Sequence, residues 1–175
     1  VLVVPEFRDG RSFAPRTMDL FCLYPDAREA VCAFKDEGFV VIVATNQPDV
    51  GAGIVEVSLV EAMHARLRNE LGVDDIEVCY ETQRQASSRR KPEPGMLLDA
   101  ARKWTLDLQG SYLVGDRASD IEAAKRAGCT GIFIDLGYSA EPKPTDQAVT
   151  VASLSLAAEW ILAEERERRK GGAIG

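Results

Sequence analysis

The stretch Val-Gly-Asp-Arg-Ala-Ser-Asp-Ile-Glu-Ala-Ala at residues 114–124 decides how this chain is read. It follows the apolar run Ser111 to Val114 and passes through a glycine into a helical pattern over Asp120 to Ala127. Gly115 lets the backbone turn sharply, which leaves Asp116 at the end of a strand. Asp120 stands at the start of the helix, within reach of the same pocket; a plain N-cap role also suits it. Two further stretches follow predicted strands in the same way. Val-Ile-Val-Ala-Thr-Asn-Gln at 41–47 ends on Thr45 and Asn46. Arg-Lys-Pro-Glu-Pro-Gly-Met at 90–96 presents Arg90 and Lys91 ahead of a helix from Met96 to about Leu106.

Outward from these three stretches the pattern alternates. Strands are predicted at Val1 to Val4, Phe39 to Ala44, Ile76 to Cys79, Ser111 to Val114, Gly131 to Ile134 and near Val149. Helices are predicted at Asp26 to Glu37, Glu56 to Leu71, Met96 to Leu106, Asp120 to Ala127 and from Ser153 onward. Alternating strands and helices give an α/β fold, a three-layer sandwich around a central parallel sheet. Ligands of such sheets bind at the carboxyl ends of the strands, where Glu6 to Gly10 with Asp9, and Thr45, Asn46, Arg90, Lys91, Asp116 and Asp120, fall. One domain over residues 1–175 is expected, with a flap loop at 10–25, a second loop at 80–90 and a frayed end at 171–175. The span from Asn46 to Ile76 has room for one helix and none for a large cap, so those two loops carry specificity.

Composition narrows the function. The 46% hydrophobic and 28% charged content is that of a folded globular protein. The net charge of -7 argues against nucleic-acid binding, which needs a basic surface. It permits a small phosphorylated molecule held by local cations, and a divalent metal held by carboxylates. No apolar run reaches the roughly 18 residues needed to span a bilayer, so no membrane partner is expected. The four cysteines are scattered, with no CxxC, and His64 is the single histidine. Disulfides are not expected, and a reduced, cytoplasmic compartment fits. His64, Trp104 and Trp160 read as packing residues. The charge run from Glu164 to Lys170 reads as a solvated helix end.

A hydroxyl, an amide, two cations and two carboxylates on one rim suit phosphoryl transfer. Together, in this order, the three stretches resemble the haloacid-dehalogenase-like (HAD) phosphatases, and within them the histidinol-phosphate and D,D-heptose 1,7-bisphosphate phosphatase group. The resemblance covers about residues 1–136. The order Thr45, Lys91, Asp116 loosely resembles a receiver-like module too, but Arg-Lys-Pro and Gly-Asp-x-x-x-Asp favour the phosphatases. The resemblance implies a HAD-like Rossmannoid core with minimal or no cap. It implies Mg²⁺ held by Asp9, Asp116 and Asp120. Thr45 is implied to bond the phosphoryl group, Lys91 to neutralise its charge, Asn46 and Arg90 to hold substrate, and Asp9 to act as general acid and base.

Three departures from the family pattern stand out: the nucleophile position, the zinc loop and Ala52. The first motif of the family reads Asp-x-Asp-Gly, its leading Asp being the nucleophile. Asp9-Gly10 matches the second half, which places Phe7 at the nucleophile position. Phenylalanine neither attacks phosphorus nor ligates metal. Glu6, one residue earlier, points to the other side of a strand. The expectation is weak or absent turnover that Phe7→Asp raises. The alternative is a catalytically disabled protein that binds a phosphorylated ligand or a protein partner. The second departure is the zinc loop of many relatives. Here only Cys79 remains of its ligands, with Glu81, Ser87 and Arg89 in the other places, so no zinc is expected. Ala52 stands where relatives often carry arginine.

Overall fold

The computed structural model describes residues 1–85, 87–138 and 141–172. Of the end expected to fray, residues 173–175 lie outside that range, and Gly171 and Gly172 close the last helix. An antiparallel hairpin opens the chain: β1 (Glu6–Arg8) and β2 (Arg11–Phe13). There follow α1 (Ala27–Asp36), β3 (Ile42–Asn46), the short α2 (Pro48–Gly51), α3 (Val57–Leu71), β4 (Asp75–Cys79) and a 3₁₀ turn at Gln83–Gln85. The second half comprises α4 (Gly95–Trp104), β5 (Tyr112–Gly115), α5 (Ala118–Ala127), β6 (Thr130–Ile134), β7 (Val149–Val151) and α6 (Leu154–Gly172). The alternation read from the sequence is therefore present, and the fold is α/β with parallel strands.

The parallel strands fall into two ladders. β3 pairs with β4, Ile42 opposite Asp75 through Asn46 opposite Cys79. β5 pairs with β6, and β6 with β7. Among the described residues no hydrogen-bonded ladder joins β3 to β5. The run Val1 to Val4, expected as a strand of the parallel sheet, instead makes one antiparallel bridge, Val3 to Leu23. Its backbone is tied to the segment ahead of α1 by Val4 N–H to the Cys22 carbonyl and Tyr24 N–H to the Leu2 carbonyl.

The helices cover the strands as their sequence faces require. α1 buries Ala27, Ala30, Val31 and Phe34, a stripe at helical spacing. It packs on α3 and α6, while α4 and α5 pack on each other. Phe34, Met63, Leu67, Ile132, Ile134 and Ile161 meet in one core. An aromatic series, Phe34, Phe39, Tyr112 and Trp160, runs along its edge with centroids 5.8, 6.2 and 6.4 Å apart. Gly72 and Gly128, at φ of 72° and 84°, end α3 and α5 in left-handed caps.

His64 is buried on α3 at 3% exposure. Burial pushes its imidazole below the ordinary value, against the pull of Glu61 and with the help of Arg68. Trp104 lies less deep than a core residue, donating its indole N–H to Asp75 Oδ2 at 2.8 Å. Asp75 also receives Lys103 Nζ at 2.6 Å.

Candidate phosphate-binding site

Lys91 organises the site. Its Nζ lies 2.7 Å from Asp120 Oδ1 and donates to the Ala44 carbonyl at 2.6 Å. Ala44 is in β3, and Asp120 is in the first turn of α5, directly after β5. One ammonium thus links the carboxyl ends of both ladders. The loop carrying Lys91 is held to β3 by a reciprocal pair. Asn46 Nδ2 donates to the Lys91 carbonyl at 3.1 Å, and Lys91 N–H donates to Asn46 Oδ1 at 3.2 Å. Thr45 stands beside them, its Oγ1 accepting from Gln47 Nε2 at 3.3 Å.

Asp120 fills two roles. Oδ1 faces Lys91, while Oδ2 accepts the Arg117 N–H at 3.1 Å and so caps α5. At 5% exposure its charge is matched by Lys91. This close approach needs Gly115: a Cβ there would stand 2.2 Å from the Asp120 Cβ. The cap and the site reading of Asp120 both hold. Both of its oxygens have partners within the protein.

Asp116 faces the same cavity. Tyr138 O–H donates to its Oδ2 at 2.7 Å, and the Val1 ammonium lies 3.8 Å from Oδ1. Burial opposes ionisation, but Val1, Tyr138 and Arg117 outweigh it, and the carboxyl is held below its usual range. The Tyr138 hydroxyl is pushed up by burial and by Asp116, so it stays a donor. An ionised carboxylate at a strand end suits a hard divalent ion.

Arg90 lines the cavity, its Nη1 donating to the Glu81 carbonyl at 2.7 Å. In the 80–90 loop, Glu81 Oε2 accepts Ser87 N–H at 2.8 Å and Ser87 Oγ accepts Arg89 N–H at 3.1 Å. Arg89 pairs with Glu77 and Asp99. Cys79 is buried.

The structure does not bring Phe7 and Asp9 to this rim. Asp9-Gly10 is the two-residue turn of the hairpin, with φ of 51° and 72°, the pairing that a type I′ turn favours. Asp9 is exposed at that tip. Phe7 lies in β1 opposite Ser12, is 56% exposed and packs on Tyr138 at 5.4 Å. Neither residue lines the cavity. Glu6 turns to Arg8 at 3.1 Å and to the Arg16 N–H at 3.1 Å. The Asp-Gly pair had been matched to a nucleophile motif; its local physics makes a hairpin.

The segment expected as a flap, 10–25, begins with β2 of this hairpin, and its residues are tied down by side chains from elsewhere in the fold. Arg117 Nη2 donates to both the carbonyl and Oγ of Ser12 at 2.7 Å, and Glu141 Oε1 accepts Ser12 Oγ–H at 2.9 Å. Arg16 Nε reaches Asp49 Oδ2 at 2.6 Å. Ser12, Arg117, Tyr138 and Glu141 were not singled out from the sequence. Tyr138 follows the strand at Gly131 to Ile134, so a search of that strand's end would have found it.

The HAD-hydrolase-like family model matches residues 88–154. Among curated relatives, the D-glycero-β-D-manno-heptose-1,7-bisphosphate 7-phosphatase of Pseudomonas aeruginosa is 34% identical over 127 residues, 70% of this chain and 71% of that one. The D-glycero-D-manno-heptose-1,7-bisphosphate 7-phosphatase of Thermosynechococcus vestitus is 31% identical over 161 residues, 79% and 82%. Among solved structures, the D,D-heptose 1,7-bisphosphate phosphatase of B. bronchiseptica, complexed with magnesium and phosphate, superposes with a TM-score of 0.77 at 28% identity, covering 93% of this chain and 94% of that one. With the strand-end residues placed as they are, and relatives of this identity and coverage, the chain belongs to the HAD-like phosphatases, in the group of the heptose bisphosphate phosphatases.

Proposed function

We propose that the rim formed by Thr45, Asn46, Arg90, Lys91 and Asp116 binds the phosphoryl group of a small sugar phosphate, of the heptose bisphosphate or histidinol phosphate type, together with Mg²⁺. The observation that carries this reading is Lys91. Its ammonium has three donors, and two are used on Ala44 and Asp120. Among the described residues the third has no acceptor, which leaves it for a phosphoryl oxygen. Asp120 keeps the ammonium charged and aimed. Thr45 accepts from Gln47, so its own O–H can point at the same phosphoryl group. Arg90, anchored by Glu81, adds positive charge at the cavity wall.

Asp116 would hold Mg²⁺, an ion commonly bound by one or two carboxylates and completed by substrate phosphate and water. When bound, the ion neutralises charge on the phosphoryl oxygens. Tyr138 and the remaining groups keep Asp116 ionised and oriented for it. The 80–90 loop, closed on itself by Glu81, Ser87 and Arg89, is assigned no zinc.

Turnover by this chain is expected to be weak. The position matched to the family's nucleophile is Phe7, which cannot attack phosphorus, and losing covalent catalysis is costly. Binding of a phosphorylated ligand outlasts it.

The test pairs calorimetric titration of inorganic phosphate and of heptose bisphosphate, with Mg²⁺, against phosphate release. Binding should weaken by at least about tenfold in Lys91→Met, the loss of one charge-assisted contact. Unchanged affinity in Lys91→Met would remove the site assignment. Rapid release by the wild type would remove the weak-turnover part.

A further inference from the structure

The loop that delivers Arg90 and Lys91 has no apolar anchor of its own. Between Glu81 and Arg90 no described residue is buried. Its polar groups close on each other: Ser87 on Glu81, Thr82 on Gln85, and Arg90 on the Glu81 carbonyl. A stretch with so little buried surface is easily displaced unless something outside ties it down. Among the described side chains from Glu81 to Arg90, Arg89 alone forms ion pairs outside the stretch.

Arg89 fills the seam between β4 and α4. Its Nη2 lies 2.8 Å from Glu77 Oε2 and donates to the Val78 carbonyl at 3.4 Å, both in β4. Its Nη1 pairs with Asp99 in α4. Its backbone lies against the same helix. The Ser88 carbonyl accepts the Gly95 N–H at 2.7 Å, and a Cβ on Gly95 would stand 2.9 Å from the Arg89 Cα.

The anchors of Arg89 and Lys91 share one rung of the β3–β4 ladder. Glu77 is the register partner of Ala44, whose carbonyl accepts from Lys91 Nζ at 2.6 Å. Two cations two residues apart are thus tied to neighbouring strands at one level. Arg89 pins the loop to β4, and from there Lys91 reaches β3 and Asp120. A guanidinium suits this place because its planar fork meets two carboxylates at once, whereas an ammonium is a single point charge.

We infer that Arg89 is a positioning residue, whose fork between Glu77 and Asp99 holds the loop where the Lys91 ammonium can meet a phosphoryl oxygen. Arg89 does not line the cavity, so it acts through Lys91 and not by contact with the ligand. The inference rests on the phosphate-site reading of Lys91 and adds what holds the loop beneath it.

The test titrates inorganic phosphate, with Mg²⁺, into the wild type, Arg89→Met, Lys91→Met and the double variant, below the Tm of each. Arg89→Met should weaken binding about tenfold, since a misplacement of roughly 1 Å is enough to lose a positioned contact. Because the effect travels through Lys91, the double variant should bind no more than about twofold worse than Lys91→Met alone. Arg89→Lys keeps the charge without the fork and should not restore wild-type affinity. Asp99→Ala removes one arm only; it should weaken binding in the same direction, and it carries the test should Arg89→Met fail to fold. The inference is overturned if Arg89→Met, or Asp99→Ala in its place, binds phosphate as the wild type does. It is overturned too if the two losses multiply in the double variant, or if Arg89→Lys binds fully. A loss in Lys91→Met with none in Arg89→Met would overturn this inference and leave the phosphate site standing. No loss in Lys91→Met would overturn the phosphate site, and this inference with it.

Discussion

Gly115 has no room for a side chain, and the reason is Asp120. A methyl at Gly115 would press on the Asp120 Cβ at 2.2 Å and on its Oδ2 at 2.5 Å. Gly115→Ala should lower stability by about 1–3 kcal/mol, as overpacking does. It should also weaken phosphate binding, because the shift moves the carboxylate that aims Lys91; urea unfolding and phosphate titration check the two effects. His64 gives a pH prediction. Its folded-state value lies below 6.5, so the unfolded chain takes up the proton first. The stabilisation from keeping it neutral is complete above about pH 6.5 and is lost as pH falls through the window below. Thermal unfolding should show this decline in the wild type and a flatter profile between pH 6.5 and 5 in His64→Leu. At this scale strand ends were a sound guide for Thr45, Asn46, Lys91, Asp116 and Asp120, which line the cavity, but not for Asp9, which follows the run Val1 to Val4 and stands in a hairpin turn. Phe7 and Asp9 were assigned by motif spacing, and spacing alone cannot tell a strand-end motif from a turn.

The hairpin of β1 and β2 shows what an element contributes. Asp-Gly between Glu6–Arg8 and Arg11–Phe13 satisfies the type I′ turn locally, and the ladder pairs Phe7 with Ser12. Because Phe7 lies on this cover and not at a strand end of the parallel sheet, Phe7→Asp should leave phosphate release unchanged in a malachite-green assay. This reverses the expectation from the motif. Gly10→Val, forcing a β-branched residue to a φ of 72°, should loosen the hairpin. Arg117→Ala removes both contacts to Ser12 and should expose residues 10–16 to limited proteolysis, with the core intact. Residues 10–25 were read as a non-periodic loop or flap, and the hairpin that ends in β2 was not recognised, although Asp-Gly is a strong hairpin signal. Helix limits were nearly all readable, since glycine caps and apolar stripes are local properties, as at Ala27–Asp36 and Val57–Leu71.

For the whole molecule, the separation of the β3–β4 ladder from the β5–β6–β7 ladder dominates. The cavity between the two ladders should bind an apolar dye such as ANS at neutral pH, read as a rise in its fluorescence. No helix among the described residues is long and apolar enough to cross a membrane. The sequence by itself determined the α/β class, the order of strands and helices, and the strand-end residues that gather around Lys91. Each of those follows from short-range causes: side-chain period, caps, turn residues, and the rule that chemistry collects at the carboxyl ends of parallel strands. Only the tertiary structure decided which strands pair. Val1 to Val4 has the composition of a sheet strand, yet it bridges Leu23, because pairing depends on which edges meet across long separations and on what packs behind them. The same cause settled Phe7 and Asp9 on a hairpin, gave Asp116 its partner Tyr138, and left β3 and β5 facing each other across a cleft that no local pattern of residues records.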